Sequence, residues 1–209
     1  MPSYIEKAEQ LTLPVAVLHG AVAFPLVPIN FEAADDASAA ALKAAGSANA
    51  FLFLVSAAEA IPASAIPQAS QLYRVGTVAK IKQMLRSPDG SVRVIAEGFS
   101  RAMVTDYRTV GDHLEADLIC KTVSIPDNGG VRGAACIREM LATLEKNLRF
   151  IPTGSSDLIS SAGLIDNPGM LADFIAANIL VRVQDKQAVL ECFEPFRRVE
   201  TLLYLMEQE

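Results

Sequence analysis

The sequence predicts an α+β chain, β-rich in its first half and helical in its second. Three observations carry that reading. Apolar residues before position 123 alternate or form short runs, those after position 130 recur every three or four positions, and Ile125-Pro-Asp-Asn-Gly-Gly130 between them interrupts both patterns. The implied organisation is a β-rich subdomain over residues 1–123, a linker over 124–130 and a helical bundle over 131–209. A chain of 209 residues buries roughly 70% of its unfolded surface on folding, so its core requires neither disulfide nor metal.

Leu11–Leu18 is an apolar run of strand length, and Pro28–Phe31 opens a second strand after a proline-bounded turn. Asp35–Ala45 is alanine-rich and meets Gly46, the pattern of a short helix with a C-terminal glycine stop. Phe51-Leu-Phe-Leu-Val55 is too short for a buried helix and reads as a central strand, followed by a Pro/Ser/Ala loop over Ile61–Ser70. Leu72–Arg86 and Ser91–Gly98 then flank Ser87-Pro88-Asp89-Gly90, where proline presets the turn and glycine supplies the left-handed position of a hairpin loop. In the first arm Ala79, Ile81, Gln83 and Leu85 alternate with Lys80, Lys82, Met84 and Arg86, as in a strand with one wet face. Arg101–Val110 and His113–Val123 read as two further strands turned at Gly111-Asp112.

Beyond the breaker cluster, Ile137, Met140, Leu141, Leu144 and Leu148 share one helical face. Asn167-Pro168 sets an N-cap before proline at the first helical position, ahead of the stripe Leu171, Phe174, Ile175 and Ile179. Glu194-Pro195 starts a final helix whose apolar seam is Phe196, Val199, Leu203 and Met206. The seam reaches almost to Glu209 without a stop signal, so the natural chain is expected to continue.

Several function classes are disfavoured. The net charge is −6, from 18 basic and 24 acidic residues, the opposite of the balance that phosphate contact demands. Leu11–Phe31 carries no Asp, Glu, Lys or Arg, yet Pro14, Pro25 and Pro28 would leave a lipid-exposed helix with unpaired backbone groups. The preceding Tyr4-Ile-Glu-Lys-Ala-Glu-Gln10 lacks the basic character of a signal peptide, so the expected location is the cytoplasm. Cys120, Cys136 and Cys192 form no Cys-x-x-Cys pair and read as reduced thiols. His19 and His113 stand apart, no Gly-x-Ser-x-Gly or His-Glu-x-x-His occurs, and none of the twelve glycines precedes a lysine. No catalytic residue, cofactor or metal site is therefore expected. The one local charge feature lies between residues 72 and 101, where Arg74, Lys80, Lys82, Arg86, Arg93 and Arg101 face only Asp89 and Glu97. Such a strand edge uses charge to resist aggregation, and could also grip RNA or an acidic partner.

Ordered motifs along the whole chain carry a resemblance. Leu72-Tyr-Arg-Val-Gly-Thr-Val-Ala79, Arg86-Ser-Pro-Asp-Gly90 and Val92-Arg-Val-Ile-Ala-Glu-Gly98 are similar to the N-terminal domain of bacterial Lon ATP-dependent proteases (endopeptidase La). So are Leu13-Pro14 with Val22-Ala-Phe-Pro25, Leu171-Ala-Asp-Phe-Ile-Ala-Ala-Asn178, Asp185-Lys-Gln-Ala-Val-Leu-Glu191 and the stretch from Arg198 to Leu203. The resemblance implies a PUA-like barrel followed by a helical bundle. It also implies a part that precedes ATPase and Ser-Lys protease modules, captures unfolded or degron-bearing polypeptides and aids assembly of a homohexamer. The catalytic Ser and Lys of such proteases map to no residue here. Asp35-Asp36-Ala37 stands where the family often has a basic stretch, and Ile61–Gln71 is less acidic than its counterparts.

The leading expectation is thus a recognition and assembly module whose candidate contacts are Phe196, Val199, Leu203 and Met206. A stand-alone LON-domain binding protein and a PUA-like RNA binder are the alternatives. The purified chain is expected neither to hydrolyse ATP nor to cleave casein; turnover that follows the chain through successive purification steps would overturn this.

Overall fold

A computed structural model describes residues 4–33, 35–47, 50–62, 65–86, 91–148 and 155–208. Among the described residues six strands and six α-helices follow in the order β1 (Ile5–Leu18), β2 (Pro28–Ala33), α1 (Asp36–Ser47), β3 (Phe51–Ser56), β4 (Val75–Arg86), β5 (Val92–Val110), β6 (His113–Ser124), α2 (Gly130–Leu148), α3 (Ser155–Gly163), α4 (Pro168–Ile179), α5 (Val183–Glu191) and α6 (Pro195–Met206). The strands form one sheet in the order β2-β5-β4-β3-β1-β6, and β5 also pairs with β6. Five strands therefore close a ring, with β2 laid along the first half of β5. The chain divides into two compact units, Ala8–Lys121 and Thr122–Glu209 with Met1–Lys7.

Continuous apolar runs form the central strands because both faces of those strands are buried. Val15 and Val17 of β1 and Phe53 and Val55 of β3 join one core, which draws on all five ring strands. The alternate residues Ala16, Leu18, Leu52 and Leu54 join a second core, roofed by Leu42 and Ala45 of α1. Asp35 caps α1, its carboxylate accepting the Ser38 N–H at 2.6 Å and the Ser38 hydroxyl at 2.8 Å. That hydroxyl in turn accepts the Val17 N–H at 3.0 Å, tying the helix start to β1.

Four differences from the sequence reading have identifiable causes. β1 begins at Ile5 rather than Leu11, because the exposed stretch Ile5–Gln10 is held by backbone pairing that apolar patterning does not report. α1 runs through Gly46 to Ser47 instead of stopping at the glycine. The stretch read as a linker contains a short 3-10 turn, Pro126–Gly129, with Asp127 and Asn128 at φ 51° and 49°. It is held in place by the Asn167 side chain, which donates to the Asn128 side chain at 3.0 Å. The hairpin loop at 87–90 lies outside the described residues.

The fourth difference is β5, a single strand where two were expected. Gly98 pairs with Ala79 and Ser100 with Val78, so Phe99 is an extra residue, a β-bulge. A second register shift falls between Val104 and Asp106. The first bulge switches the sense of the strand: Val94 and Ala96 enter the second core, whereas Ala102 and Val104, also even-numbered, enter the ring core. Gly98 is required at the bend because a Cβ there would collide with the Phe24 carbonyl oxygen.

In the other unit α4 packs against α2, α3, α5 and α6. Its start is as the sequence predicts, with the Asn167 side chain accepting the Gly169 and Met170 N–H groups at 3.0 Å each. Leu171, Ala172, Ile175 and Ala176 are all fully buried, which is why the helix reads as apolar nearly all round.

The two glycines Gly98 and Gly163 should respond oppositely to alanine. Gly163→Ala, with open space around its Cβ, is expected to leave stability unchanged or raise it by about 0.4–1 kcal/mol. Gly98→Ala must displace backbone and is expected to cost about 1–3 kcal/mol. Urea melts of the two variants beside the parent check both signs.

Candidate functional site

The expected contact seam lies on α6, and the structure buries most of it. Phe196 is 3% exposed, Val199 1% and Met206 3%, while Leu203 is half-buried. Phe196, Val199 and Met206, expected as contacts, are thus buried, and of the four only Leu203 is partly open. Phe196 illustrates the cause. Its ring lies beneath the Arg132 guanidinium at 4.1 Å, and a Cβ on Gly129 would come within 2.6 Å of it. Arg132 also reaches Glu200 at 3.3 Å. The exposed apolar residue of this helix is Tyr204, which the helical spacing of the seam excluded from consideration.

Arg198 fixes α6 in place. Its guanidinium donates to the carbonyls of Cys192 (2.9 Å), Phe193 (3.1 Å) and Gly169 (3.1 Å) and to the Asp173 carboxylate (3.0 Å). Both members of this ion pair are buried, at 6% and 2% exposure. Tyr4, just before β1, adds a further polar contact: its phenol pKa is pushed up to about 12, by burial first and then by its hydrogen bond to Glu194.

The chemically reactive side chains are dispersed. His19 lies 3.4 Å from Asp35 and His113 lies 3.9 Å from Glu115. Cys120, Cys136 and Cys192 are free thiols. Burial pushes the Cys120 and Cys136 thiols up, toward the protonated and unreactive form. Among the described residues no three His, Cys, Asp or Glu side chains group as a metal site, and no helix is long and apolar enough to cross a membrane.

The basic stretch of β4 and β5 is partly neutralised in place. Lys82 pairs with Glu97 at 2.5 Å and Arg93 with Glu32 at 3.8 Å, and Arg101 is buried. The same sheet face exposes apolar side chains that were not singled out from the sequence. Phe99 is 65% exposed, Leu85 52% and Ile95 36%. Phe99 stands edge-on to Phe51, with centroids 5.8 Å apart, and the Lys80 ammonium sits 5.7 Å from the Phe51 ring. One signal was available: Phe99 shares its odd-numbered strand positions with the charged Arg93 and Glu97.

This fold is that of Lon N-terminal domains. It superposes on the N-terminal domain of a Mycobacterium avium complex Lon protease with a TM-score of 0.68 at 20% identity, covering 95% of this chain and 100% of that one. The corresponding values for a Lon N-terminal domain protein from Xanthomonas campestris are 0.57 and 16%, covering 93% and 98%. Sequence carries the assignment further: residues 12–208 match the ATP-dependent protease La (LON) substrate-binding domain, and the chain belongs to that family. It is 33% identical over 200 residues to the Lon protease of Azorhizobium caulinodans, covering 95% of this chain and 23% of that protein. With the Lon protease of Escherichia coli K12 the identity is 31% over 204 residues, covering 98% of this chain and 26% of that protein. The chain thus spans about a quarter of the length of these relatives, and corresponds to their N-terminal substrate-binding part.

The Arg198–Asp173 pair gives a sharp stability test. Arg198→Met alone strips the guanidinium from a buried carboxylate and is expected to cost about 3–5 kcal/mol, while the double variant Arg198→Met/Asp173→Leu recovers much of that loss. Chemical denaturation of the single and double variants measures the difference.

Proposed function

We propose that the chain is the polypeptide-recognition and assembly part of an ATP-dependent Lon protease, binding unfolded or damaged polypeptides ahead of their degradation. In this reading a PUA-like barrel over 1–123 is joined through 124–130 to a helical bundle over 131–209, and the whole works within a cytoplasmic homohexamer. The observation that carries the proposal is the match of residues 12–208 to a substrate-binding domain family. The exposed Phe99, Leu85 and Ile95 support it, since solvent-facing apolar side chains mark an interaction surface. The chain itself requires no cofactor. RNA is the poorer partner: the net charge is −6, and Lys82 and Arg93 are already engaged by Glu97 and Glu32.

One copy binds weakly. A Kd of about 100 μM corresponds to roughly −5.5 kcal/mol, and a ring of copies raises the effective concentration enough to make that useful. NMR titration of the labelled chain with reduced, unfolded casein is expected to shift resonances that a folded control protein leaves unmoved. Equal shifts from both proteins, or none from either, would overturn the proposal.

A further inference from the structure

We infer that the bulge in β5 builds a small recognition site for an extended polypeptide segment in which a large apolar or aromatic side chain stands next to a carboxylate. The inference rests on the polypeptide-binding reading above and adds to it a place and a chemistry. Phe99 is the extra residue between Gly98 and Ser100 and has no cross-strand partner in the β4–β5 register. A bulge re-aims the side chain it carries, and here it leaves the ring 65% exposed. The bend is not free to relax, because the Phe24 carbonyl occupies the space where a Gly98 side chain would be. The ring is also braced: Phe51 meets it edge-on, at 78° between planes. Two aromatic rings held in this way offer apolar area at little cost in side-chain entropy.

Lys80 supplies the charge. It lies directly opposite Phe51 in the β3–β4 register, with its ammonium 5.7 Å from the ring. Among the described residues it has no carboxylate partner, and the carboxylate of its other cross-strand neighbour, Glu97, is taken by Lys82 at 2.5 Å. With Lys82 and Arg93 engaged by Glu97 and Glu32 and Arg101 buried, Lys80 is the cation that stands beside the two rings, and its charge is complementary to a carboxylate on the incoming segment. An incoming ring packs against Phe99 and Phe51, and the adjacent carboxylate meets Lys80.

Fluorescence anisotropy of the full 209-residue chain with three short, disordered, labelled peptides tests the site. The peptides differ only at their centres, which read Phe-Glu, Phe-Lys or Ser-Glu. The parent chain is expected to bind the Phe-Glu peptide about tenfold more tightly than either of the others. Phe99→Ser should remove that advantage, and Lys80→Glu should invert the order of the Phe-Glu and Phe-Lys peptides. Both positions are exposed, and circular-dichroism melts verify that the variants fold as the parent does. Equal affinity for all three peptides, or a Phe99→Ser variant that binds as the parent does, overturns this site while leaving the casein titration standing. Loss of both casein shifts and peptide binding in the parent removes the functional reading itself. Sedimentation gives a third outcome: a dimer that Phe99→Ser dissociates makes this face a contact between copies of the chain, and the inference falls.

Discussion

The sheet can close only because β5 changes face partway along its length. Over its first half this strand is paired by β4 on one edge and β2 on the other, and over its second half β6 replaces β2. The two halves serve different cores, with Val94 and Ala96 under α1 and Ala102 and Val104 inside the ring. Side chains of a regular strand alternate with period two, so even-numbered residues would all point one way. One inserted residue reverses the assignment, as a one-residue slip does in any strand. Phe99 is that residue. The glycine before it, the strap of backbone at Phe24 and the ring left in solvent are all consequences of the same geometric requirement.

The helical unit depends on a different kind of constraint. Taking Arg198 and Asp173 out of water costs free energy that their mutual attraction offsets only when the remaining donors are also satisfied. The three carbonyls of Gly169, Cys192 and Phe193 meet that condition, and they come from α4 and from the segment joining α5 to α6. A side chain so placed defines how α6 approaches α4. It also explains why the apolar seam of α6 is spent on its own unit: a helix anchored through Arg198 turns Phe196, Val199 and Met206 inward.

Much of the architecture was legible because it follows local rules. The cap at Asn167, the proline starts of α4 and α6, the buried runs of β1 and β3 and the change of period near residue 125 each rest on near neighbours in sequence. The polar start of β1 was not legible, since Glu6, Lys7, Glu9 and Gln10 have exposed side chains and contribute through backbone pairing. Nor was the wet face of β4: after a register shift between Ile81 and Gln83, Met84 and Leu85 are both exposed, against the expected alternation. The burial of the α6 seam was illegible on the same ground. Helical spacing identified an apolar face on α6 but carried no information about what covers it, and the partners Gly129 and Arg132 lie more than sixty residues away.

By itself the sequence determined the change from strand to helix near residue 125, the capped start of α4 at Asn167, the proline start of α6 and the family to which the chain belongs, because patterning, caps and ordered motifs are recorded residue by residue; it missed α3 and α5. Tertiary structure alone decided that β5 is one bulged strand closing a ring, that Arg198 pins α6 against α4, and which apolar side chains reach solvent. The physical reason is shared by all three. Exposure and register depend on what a distant segment places opposite a residue, and a single inserted position such as Phe99 reverses the answer without altering local composition.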